Sequence, residues 1–314
     1  MHLNNNRTGI ISSDFPYQPN YINVMGSKIH YIDENNNGDE EQTTFVCVHG
    51  NPSSSYLWRN VIPYLLPHGR VIAPDLIGFG KSDKPSIDYR IVTHTEYFNK
   101  FIYQLNLSNI VFVLHDWGAA LGLTYARLYA DKVKGVAFME GVVNPKKWDF
   151  GNIFVRLLFR AMRKPAVGKW MVINHNFFVE RILLLLGTKR TLNKNEKDHY
   201  RQPFLSRESR KPTYVFPNEI PINGKPADVH KMVQKNHEWL QETSLPKLLL
   251  WVKPGVLIKS HHVEEMNNKY SNLTTILLGK STRLLKESHY VQEDFPGEIG
   301  EAIIDWLNKS LRKK

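Results

Sequence analysis

The sequence predicts an α/β fold in which a mostly parallel central sheet is flanked by helices. Short, nearly unbroken apolar runs bounded by Gly, Pro or Asp recur along the 314 residues, as in strands that are buried on both faces of a parallel sheet. Amphipathic helical patterns alternate with these runs, which is typical of parallel strands joined by helices. The predicted strands are residues 45–48, 71–73, 110–114, 136–139, 248–252 and 275–278.

Two helices are predicted from the spacing of their apolar residues. In residues 98–105, apolar side chains recur at i, i+3, i+4 and i+7, and residues 299–307 present a similar face. This spacing places the apolar residues on one side of a helix, where they would pack against the sheet.

Strand patterns fade after about residue 143, and helical stretches punctuated by prolines replace them as far as residue 240. We therefore expect a mainly helical insertion at 143–240 and a core made of 1–142 and 241–314. The insertion also carries the net charge of +11, because residues 146–240 contain 19 Lys and Arg but only 8 Asp and Glu. A solvated basic surface is the simplest interpretation, and no zinc-finger, RRM or KH motif indicates a nucleic-acid partner.

Composition excludes several classes of protein. The single cysteine, Cys47, excludes a disulfide framework and a cysteine-rich metal site. No apolar stretch approaches the roughly 20 residues that are needed to span a bilayer. Residues 1–15 lack the apolar core of a secretion signal, so the cytoplasm is the expected location.

A strand followed by a helix of small residues brings Asp116 to a sharp turn. Residues 110–118 read IVFVLHDWG, and AALG follows. The pattern resembles the G-x-S-x-G nucleophile elbow, with Leu114 at the first Gly, Asp116 at the Ser and Gly118 at the last Gly. Because Asp also caps helices well, a carboxylate nucleophile and a simple N-cap are equally supported by this stretch alone.

A carboxylate that attacks an sp3 carbon leaves an alkyl ester on the enzyme, which water can then hydrolyse. Hydrolysis needs a base for the water, an acid that supports the base, and N–H donors for the oxyanion. Glu140 directly follows a predicted strand, His289 precedes the last predicted helix, and the order nucleophile, acid, histidine is the one expected after such an elbow. Taken singly, Glu140 could be a surface charge and His289 one of 13 structural or exposed histidines.

Two side chains with N–H groups accompany the predicted nucleophile. Asn51 lies in the HGNP loop after the first predicted strand, and Trp117 directly follows Asp116. Neutral donors suit a soft, weakly basic anion that has to leave, so the combination favours a halide site. Trp117 alone would favour a place in the core, and Asn51 alone a turn.

With these residues in place, the sequence strongly resembles the haloalkane dehalogenases of the α/β-hydrolase superfamily, in the subfamily with an Asp-His-Glu triad and an Asn-Trp halide pair. The resemblance extends from about residue 15 to residue 307. Its stretches are HGNPSSSYLWRN (49–60), PDLIGFGKSDKP (74–85), LHDWGAALG (114–122), VKGVAFME (133–140), DHYRQPFL (198–205), FPNEIPINGKPA (216–227), PKLLLW (246–251), PGVLI (254–258) and HYVQEDFP (289–296).

The resemblance implies a role for each matched residue. Asp116 would displace halide by in-line attack, Asn51 and Trp117 would hold the halide, and their backbone N–H groups would form the oxyanion hole. His289 would activate water, and Glu140 would stabilise the imidazolium. The insertion would be a helical cap over a buried apolar pocket. The implied lining residues are Phe178, Phe216, Pro217, Leu257 and Tyr290.

The resemblance also implies the partners, which are a small haloalkane, water and a halide ion. It implies no cofactor and no metal, and we expect no nucleic-acid or membrane partner. The oligomeric state stays open. One departure from the family concerns the connection from Gly279 to His289, which is longer than usual. If that loop displaced His289, alkylation would proceed but turnover would stall.

Three alternatives stay open. An epoxide hydrolase also uses an Asp at the elbow, but it commonly has an aromatic residue at the position of Asn51. Such enzymes use two tyrosines of the cap to activate the epoxide oxygen, and Tyr200 and Tyr214 lie in the predicted cap. A coelenterazine-type luciferase shares the scaffold and the five site residues. A non-catalytic binding protein of the same fold is kept open by the long loop before His289.

Overall fold

The computed structural model describes residues 9, 11–35, 42–148, 153–279 and 287–310. In this part of the chain, eight strands form one sheet in the order β1-β2-β4-β3-β5-β6-β7-β8. The pairs β1–β2 and β2–β4 are antiparallel. The other five pairs, which run along the sheet from β4 through β3 to β8, are parallel. The strands are β1 (Asn20–Val24), β2 (Ser27–Glu34), β3 (Thr44–Val48), β4 (Arg70–Pro74), β5 (Ile110–His115), β6 (Val133–Met139), β7 (Lys247–Trp251) and β8 (Leu273–Leu277).

Helices cover both faces of this sheet, and the described residues contain eleven α-helices. They are α1 (Ile62–Leu65), α2 (Ile91–Gln104), α3 (Trp117–Leu128), α4 (Ile153–Met162), α5 (Pro165–Lys169), α6 (Lys194–Arg201), α7 (Lys211–Glu219), α8 (Ala227–Glu242), α9 (Ser260–Lys269), α10 (Val291–Asp294) and α11 (Pro296–Ser310). Short 3-10 turns lie at Ser55–Trp58, Leu66–His68, Ala130–Lys132, Gln202–Phe204 and Glu208–Arg210, and π-helical segments at Trp170–Asn174 and Phe178–Leu186. None of the helices described has the length and apolar character that crossing a membrane requires.

The central strands are apolar throughout because both of their faces are buried. In β5, Phe112 and Leu114 pack with α2 and α3 residues on one side, whereas Val111 and Val113 pack with α1 and α11 residues on the other. Side chains of a strand alternate between the two faces, so each face needs its own set of apolar residues. The predicted α/β fold with a mostly parallel sheet is confirmed, and each of the six predicted strands is present.

The sequence analysis missed the antiparallel hairpin β1–β2. Its turn is built on Met25 and Gly26, which both have positive φ. Its strands mix polar and apolar residues, and β1 is partly exposed at the sheet edge. A strand with this composition lacks the continuous apolar run by which the parallel strands were predicted.

The predicted insertion corresponds to the helices between β6 and β7. Of these, α8 packs against α3 and α2 of the core layer. The predicted boundary at residue 240 therefore falls inside a helix that lies on the core. We use the name cap for the residues between β6 and α8, and the division into core and cap stays a proposal.

Candidate active site

Asp116 lies on a strained turn between β5 and α3. Its φ of 50° and ψ of −123° are unusual for a residue with a side chain. Its carbonyl oxygen accepts hydrogen bonds from Ala119 N and Val142 N, at 3.1 and 3.0 Å. The turn thus leaves the strand sharply at its carboxyl end, where the ligand sites of parallel sheets lie.

Glycines make room for this turn. A Cβ at Gly50 would collide with the Asp116 carboxyl group, and a Cβ at Gly118 would collide with the Val48 carbonyl group. The elbow can therefore approach the loop after β3 only because both positions lack a side chain. As a result, Asn51 N donates a hydrogen bond of 2.8 Å to Asp116 Oδ2.

Glu140 and His289 meet beside Asp116. His289 Nδ1 lies 3.4 Å from Glu140 Oε2, and His289 Nε2 lies 3.8 Å from Asp116 Oδ1. Glu140 is fully buried, and its carboxylate accepts hydrogen bonds from the N–H groups of residues 256, 257 and 258. These three bonds fix the carboxylate, so that it faces the His289 ring.

Burial and neighbouring charges shift the acidity of this pair. Burial raises the pKa of Asp116, although His289 and the backbone N–H groups of Asn51 and Trp117 favour the charged carboxylate. Burial opposes a charged His289, but the hydrogen bond to Glu140 and the charges of Asp116 and Glu140 outweigh it and raise the pKa of His289 above 6.5. The site is therefore arranged to accept a proton on His289.

The backbone of His289 is held from two sides. His289 N donates to the Gly187 carbonyl oxygen at 3.0 Å, as does Tyr290 N. The ring of His115 lies 2.9 Å from the His289 carbonyl oxygen. The long connection that raised doubt about this residue includes 280–286, which lie outside the described residues, whereas His289 itself faces both Asp116 and Glu140.

A buried ion-pair network lies behind His289. Arg59 contacts Glu293 at 2.6 Å and Glu196 at 2.8 Å, and all three side chains are almost fully buried. Arg190 contacts both carboxylates as well. Because Glu293 follows His289 by four residues and Glu196 belongs to α6, this network ties the helix after His289 to the cap. Pattern reading missed it, because its members are far apart in the chain.

Asn51 contacts the Asp116 carboxyl group through its backbone N–H, Trp117 follows Asp116 in the chain, and both are buried. Tyr290 donates a hydrogen bond of 2.9 Å from its hydroxyl group to the Asn51 carbonyl oxygen, which braces the loop. The indole of Trp117 packs edge-on against Phe216, with 6.0 Å between ring centroids. Both donors thereby lie on the wall of one cavity together with Asp116 and His289.

This cavity has a volume of about 690 Å³ and a mainly apolar lining. Of the five lining residues implied by the resemblance, Phe178, Pro217, Leu257 and Tyr290 are on its wall. Phe216 is not among the lining residues described, so its place on the wall stays a prediction. Its ring is fully buried behind Trp117, where it also packs on Phe79 and His94.

The cavity has further walls that the sequence analysis did not name. The additional lining residues are Leu158, Phe159, Ile182, Leu186, Gly187, Ile220, Pro254, Val256 and Glu287. Only the apolar face of Phe178–Leu186 offered a pattern from which part of this wall could have been found.

The sequence analysis also did not name Lys146, which is buried and donates a hydrogen bond of 3.1 Å to the Leu257 carbonyl oxygen. Burial lowers the pKa of Lys146 to about 8. Among the described residues, no group of His, Cys, Asp and Glu side chains is arranged to hold a metal ion.

The chain is similar to a protein-family model and to curated proteins along most of its length. The family model of the alpha/beta hydrolase fold matches residues 43–275. The chain is 39% identical to a haloalkane dehalogenase of Mesorhizobium japonicum over 91% of this chain and 90% of that one. It is also 39% identical to a haloalkane dehalogenase of Sphingobium indicum, over 92% and 95% of the two chains.

Solved structures extend the similarity to the fold. The crystal structure of a haloalkane dehalogenase from Bradyrhizobium elkani matches with a TM-score of 0.88 and 36% identity, over 95% of this chain and 99% of that one. The crystal structure of a putative ancestral haloalkane dehalogenase matches with a TM-score of 0.86 and 38% identity, over 93% and 99%. With the family model covering most of the chain and relatives matched along nearly their whole length, the chain belongs to the haloalkane dehalogenases of the α/β-hydrolase superfamily.

Proposed function

We propose that the protein hydrolyses haloalkanes to an alcohol and a halide ion through a covalent ester on Asp116. The observation that carries this proposal is a carboxylate that faces an apolar cavity while Asn51 and His289 lie on either side of it. A carboxylate oxygen forms the new C–O bond, and the C–X bond breaks with its electron pair leaving on the halogen. Asn51 and Trp117 stabilise the departing halide with their side-chain N–H groups.

The second step hydrolyses the ester. His289 takes a proton from water, whose oxygen attacks the carboxyl carbon of Asp116, and Glu140 stabilises the imidazolium that forms. The backbone N–H groups of Asn51 and Trp117 stabilise the oxyanion; both already favour the charged form of this carboxyl group. The alcohol then leaves with the proton from His289. The second proton of the water is released from the Asp116 carboxyl group to solvent, which restores the free carboxylate, so that alcohol, halide and one proton are formed.

The geometry gives less support to an epoxide hydrolase. That reaction would need tyrosine hydroxyl groups in the cavity to activate the epoxide oxygen. Tyr200 is buried in the ion-pair network, where its hydroxyl group donates to Glu293. Neither Tyr200 nor Tyr214 belongs to the cavity lining among the described residues.

Halide release from 1-bromobutane tests the proposed function. We expect the wild type to release bromide steadily, with one butanol formed per bromide. Trp117→Phe keeps the ring but removes the indole N–H group, so we expect its kcat/KM for bromobutane to fall by about 10²–10³-fold, as when a single donor to a developing anion is lost. Trp239→Phe, on the partly buried face of α8, is the matched control. Absence of release by the wild type would turn attention to epoxides, coelenterazine or a binding function.

The pH dependence follows from His289. The neutral ring is the base, and its pKa is raised in the folded protein. The His289 ring is therefore protonated at a higher pH than an ordinary histidine. Steady turnover should fall as the pH is lowered through the pKa of His289. The burst of one halide should persist on this limb, because alkylation does not need the base. Glu140→Gln should move the limb to lower pH. The proposal fails if burst and turnover decline together.

The proposed partners of the protein are a small haloalkane, water and the halide ion. The substrate assay would determine which chain length and which halogen of the haloalkane the cavity accepts. A cytoplasmic location and the absence of a nucleic-acid partner stay predictions from the sequence.

A further inference from the structure

The cap segment 153–190 exposes large apolar side chains. Trp170 is 58% exposed and Leu157 is 53% exposed. Ile153 and Leu157 are one turn apart on α4, and Val167 and Trp170 are three residues apart on α5 and the segment that follows it. This spacing gives each segment an apolar face toward solvent rather than scattered single residues. Among the side chains described in 153–190, the exposed large apolar ones are Ile153, Leu157, Val167, Trp170, Leu185 and Leu186.

The same segment is strongly basic. Residues 153–190 contain eight Lys and Arg and a single acidic residue, Glu180, which leaves a net charge of +7. Glu180 is paired with Arg201 of α6, at 2.8 Å. The side chains of Lys164, Lys169 and Arg181 are exposed beside the apolar residues. An apolar face surrounded by cations is the pattern of a surface that binds anionic lipid.

The cavity shares wall residues with this segment. Its wall includes Leu158, Ile182 and Leu186, which belong to the same segment. Of these, Leu186 is also 55% exposed. Molecules that reach Asp116 along this wall would enter from the apolar side of the cap.

We propose that the cap face formed by residues 153–190 binds the surface of a membrane rich in anionic phospholipid. Trp170 and the exposed leucines insert among the acyl chains, and the cations contact the lipid phosphates. A haloalkane dissolved in the lipid would then reach the cavity without crossing water. The sequence analysis expected no membrane partner, since no apolar stretch is long enough to span a bilayer, but binding at a membrane surface needs no such stretch.

Two other occupants fit the face less well. A second copy of the chain would bring the exposed cations Lys164, Lys169 and Arg181 against the same cations of its partner, which opposes a symmetric contact. Nucleic acid would use the cations but would leave the aliphatic side chains at 153, 157 and 167 without a matching apolar surface. An anionic lipid surface complements both the charge and the apolar residues.

Co-sedimentation of the full chain with vesicles tests the proposal, and needs no substrate. We expect the wild type to bind vesicles of phosphatidylcholine with phosphatidylglycerol, and to bind pure phosphatidylcholine at least about tenfold more weakly. Binding should weaken with added salt. No detectable binding to the anionic vesicles would overturn the proposal, whether or not the enzyme is active on dissolved bromobutane.

An apolar variant tests the inserted residues. The triple variant Leu157→Gln, Val167→Gln and Trp170→Gln should bind anionic vesicles at least about tenfold more weakly than the wild type. The matched control replaces three exposed apolar residues outside the cap, by Val92→Gln, Tyr103→Gln and Leu128→Gln. It should bind vesicles as the wild type does. Both triples should keep the wild-type kcat for bromobutane in buffer, since none of the six residues lines the cavity.

A charge variant tests the cations separately. The triple variant Lys164→Gln, Lys169→Gln and Arg181→Gln should bind anionic vesicles about a hundredfold more weakly. Each cation near an anionic surface raises the affinity about fivefold, and the variant lacks three of them. The control variant Lys100→Gln, Lys132→Gln and Lys134→Gln removes the same charge from exposed positions outside the cap. It should change vesicle binding only slightly.

Three results would refute the membrane surface. Equal binding by the apolar variant and its control would show that the exposed side chains do not insert. Binding to duplex DNA as tight as to anionic vesicles, and unchanged in the apolar variant, would indicate a polyanion surface instead. Dimers in solution that dissociate in the apolar variant would assign this face to a second copy of the chain.

Discussion

Replacing Asp116 by alanine is expected to abolish halide release from 1-bromobutane. The carboxylate oxygen forms the first new bond, and no other carboxylate in the cavity lies against both Asn51 N and His289 among the described residues. The rate should therefore fall by on the order of 10⁴-fold or more, to the background of the assay. Because burial raises the pKa of Asp116, the folded state holds this charge at a cost, and its removal should leave the protein folded.

The measurement is bromide release followed over many turnovers, with the unfolding midpoint recorded for each variant. Asp131→Ala, at an exposed position after α3, is the matched control and should keep the wild-type rate. Intact mass should show no alkylated Asp116→Ala protein at any time. Appreciable release by this variant with a normal unfolding midpoint would assign the nucleophile to another residue.

Replacing His289 by phenylalanine should separate the two chemical steps. Alkylation needs Asp116 and the halide donors, so about one bromide per enzyme should be released in a burst. Ester hydrolysis needs the ring nitrogen 3.8 Å from Asp116 Oδ1, so turnover should then stop. The protein should accumulate with the mass of one added butyl group, located on the peptide that contains Asp116.

Rapid-quench bromide measurements and mass spectrometry of the trapped protein provide the two readouts. His261→Phe, at an exposed position on α9, serves as the control and should turn over steadily. A His289→Phe variant that turns over without accumulating the ester would remove His289 from its proposed role. A wild type that also stops after one bromide would mean that the connection before His289 misplaces the base during the reaction.

The sequence was most informative where local chemistry and chain order suffice. Strands buried on both faces must be apolar throughout, so the runs that became β3 to β8 could be read directly. A reactive residue between a strand and a helix falls at the carboxyl edge of the sheet. For this reason Asp116, Glu140 and His289, each placed just after a strand or before a helix, could be named together before any distance was known.

Prediction was weaker where contacts join distant parts of the chain. The pairing of Arg59 with Glu196 and Glu293 spans 137 and 234 residues, and no spacing rule reports it. The place of Phe216 behind Trp117 depends on how α7 packs on the core. The contacts of α8 with α2 and α3 likewise join elements that are far apart in the chain.

The sequence by itself therefore determined the fold class and the set of chemical groups, because these depend on residue type, periodicity and order, and the resemblance of its motifs indicated the family. Tertiary structure alone decided how far His289 lies from Asp116 and Glu140, which side chains line the cavity, and which apolar residues of the cap face water. The reason is that a buried wall and an exposed apolar face can have the same composition, and only the packing of the neighbouring elements tells them apart.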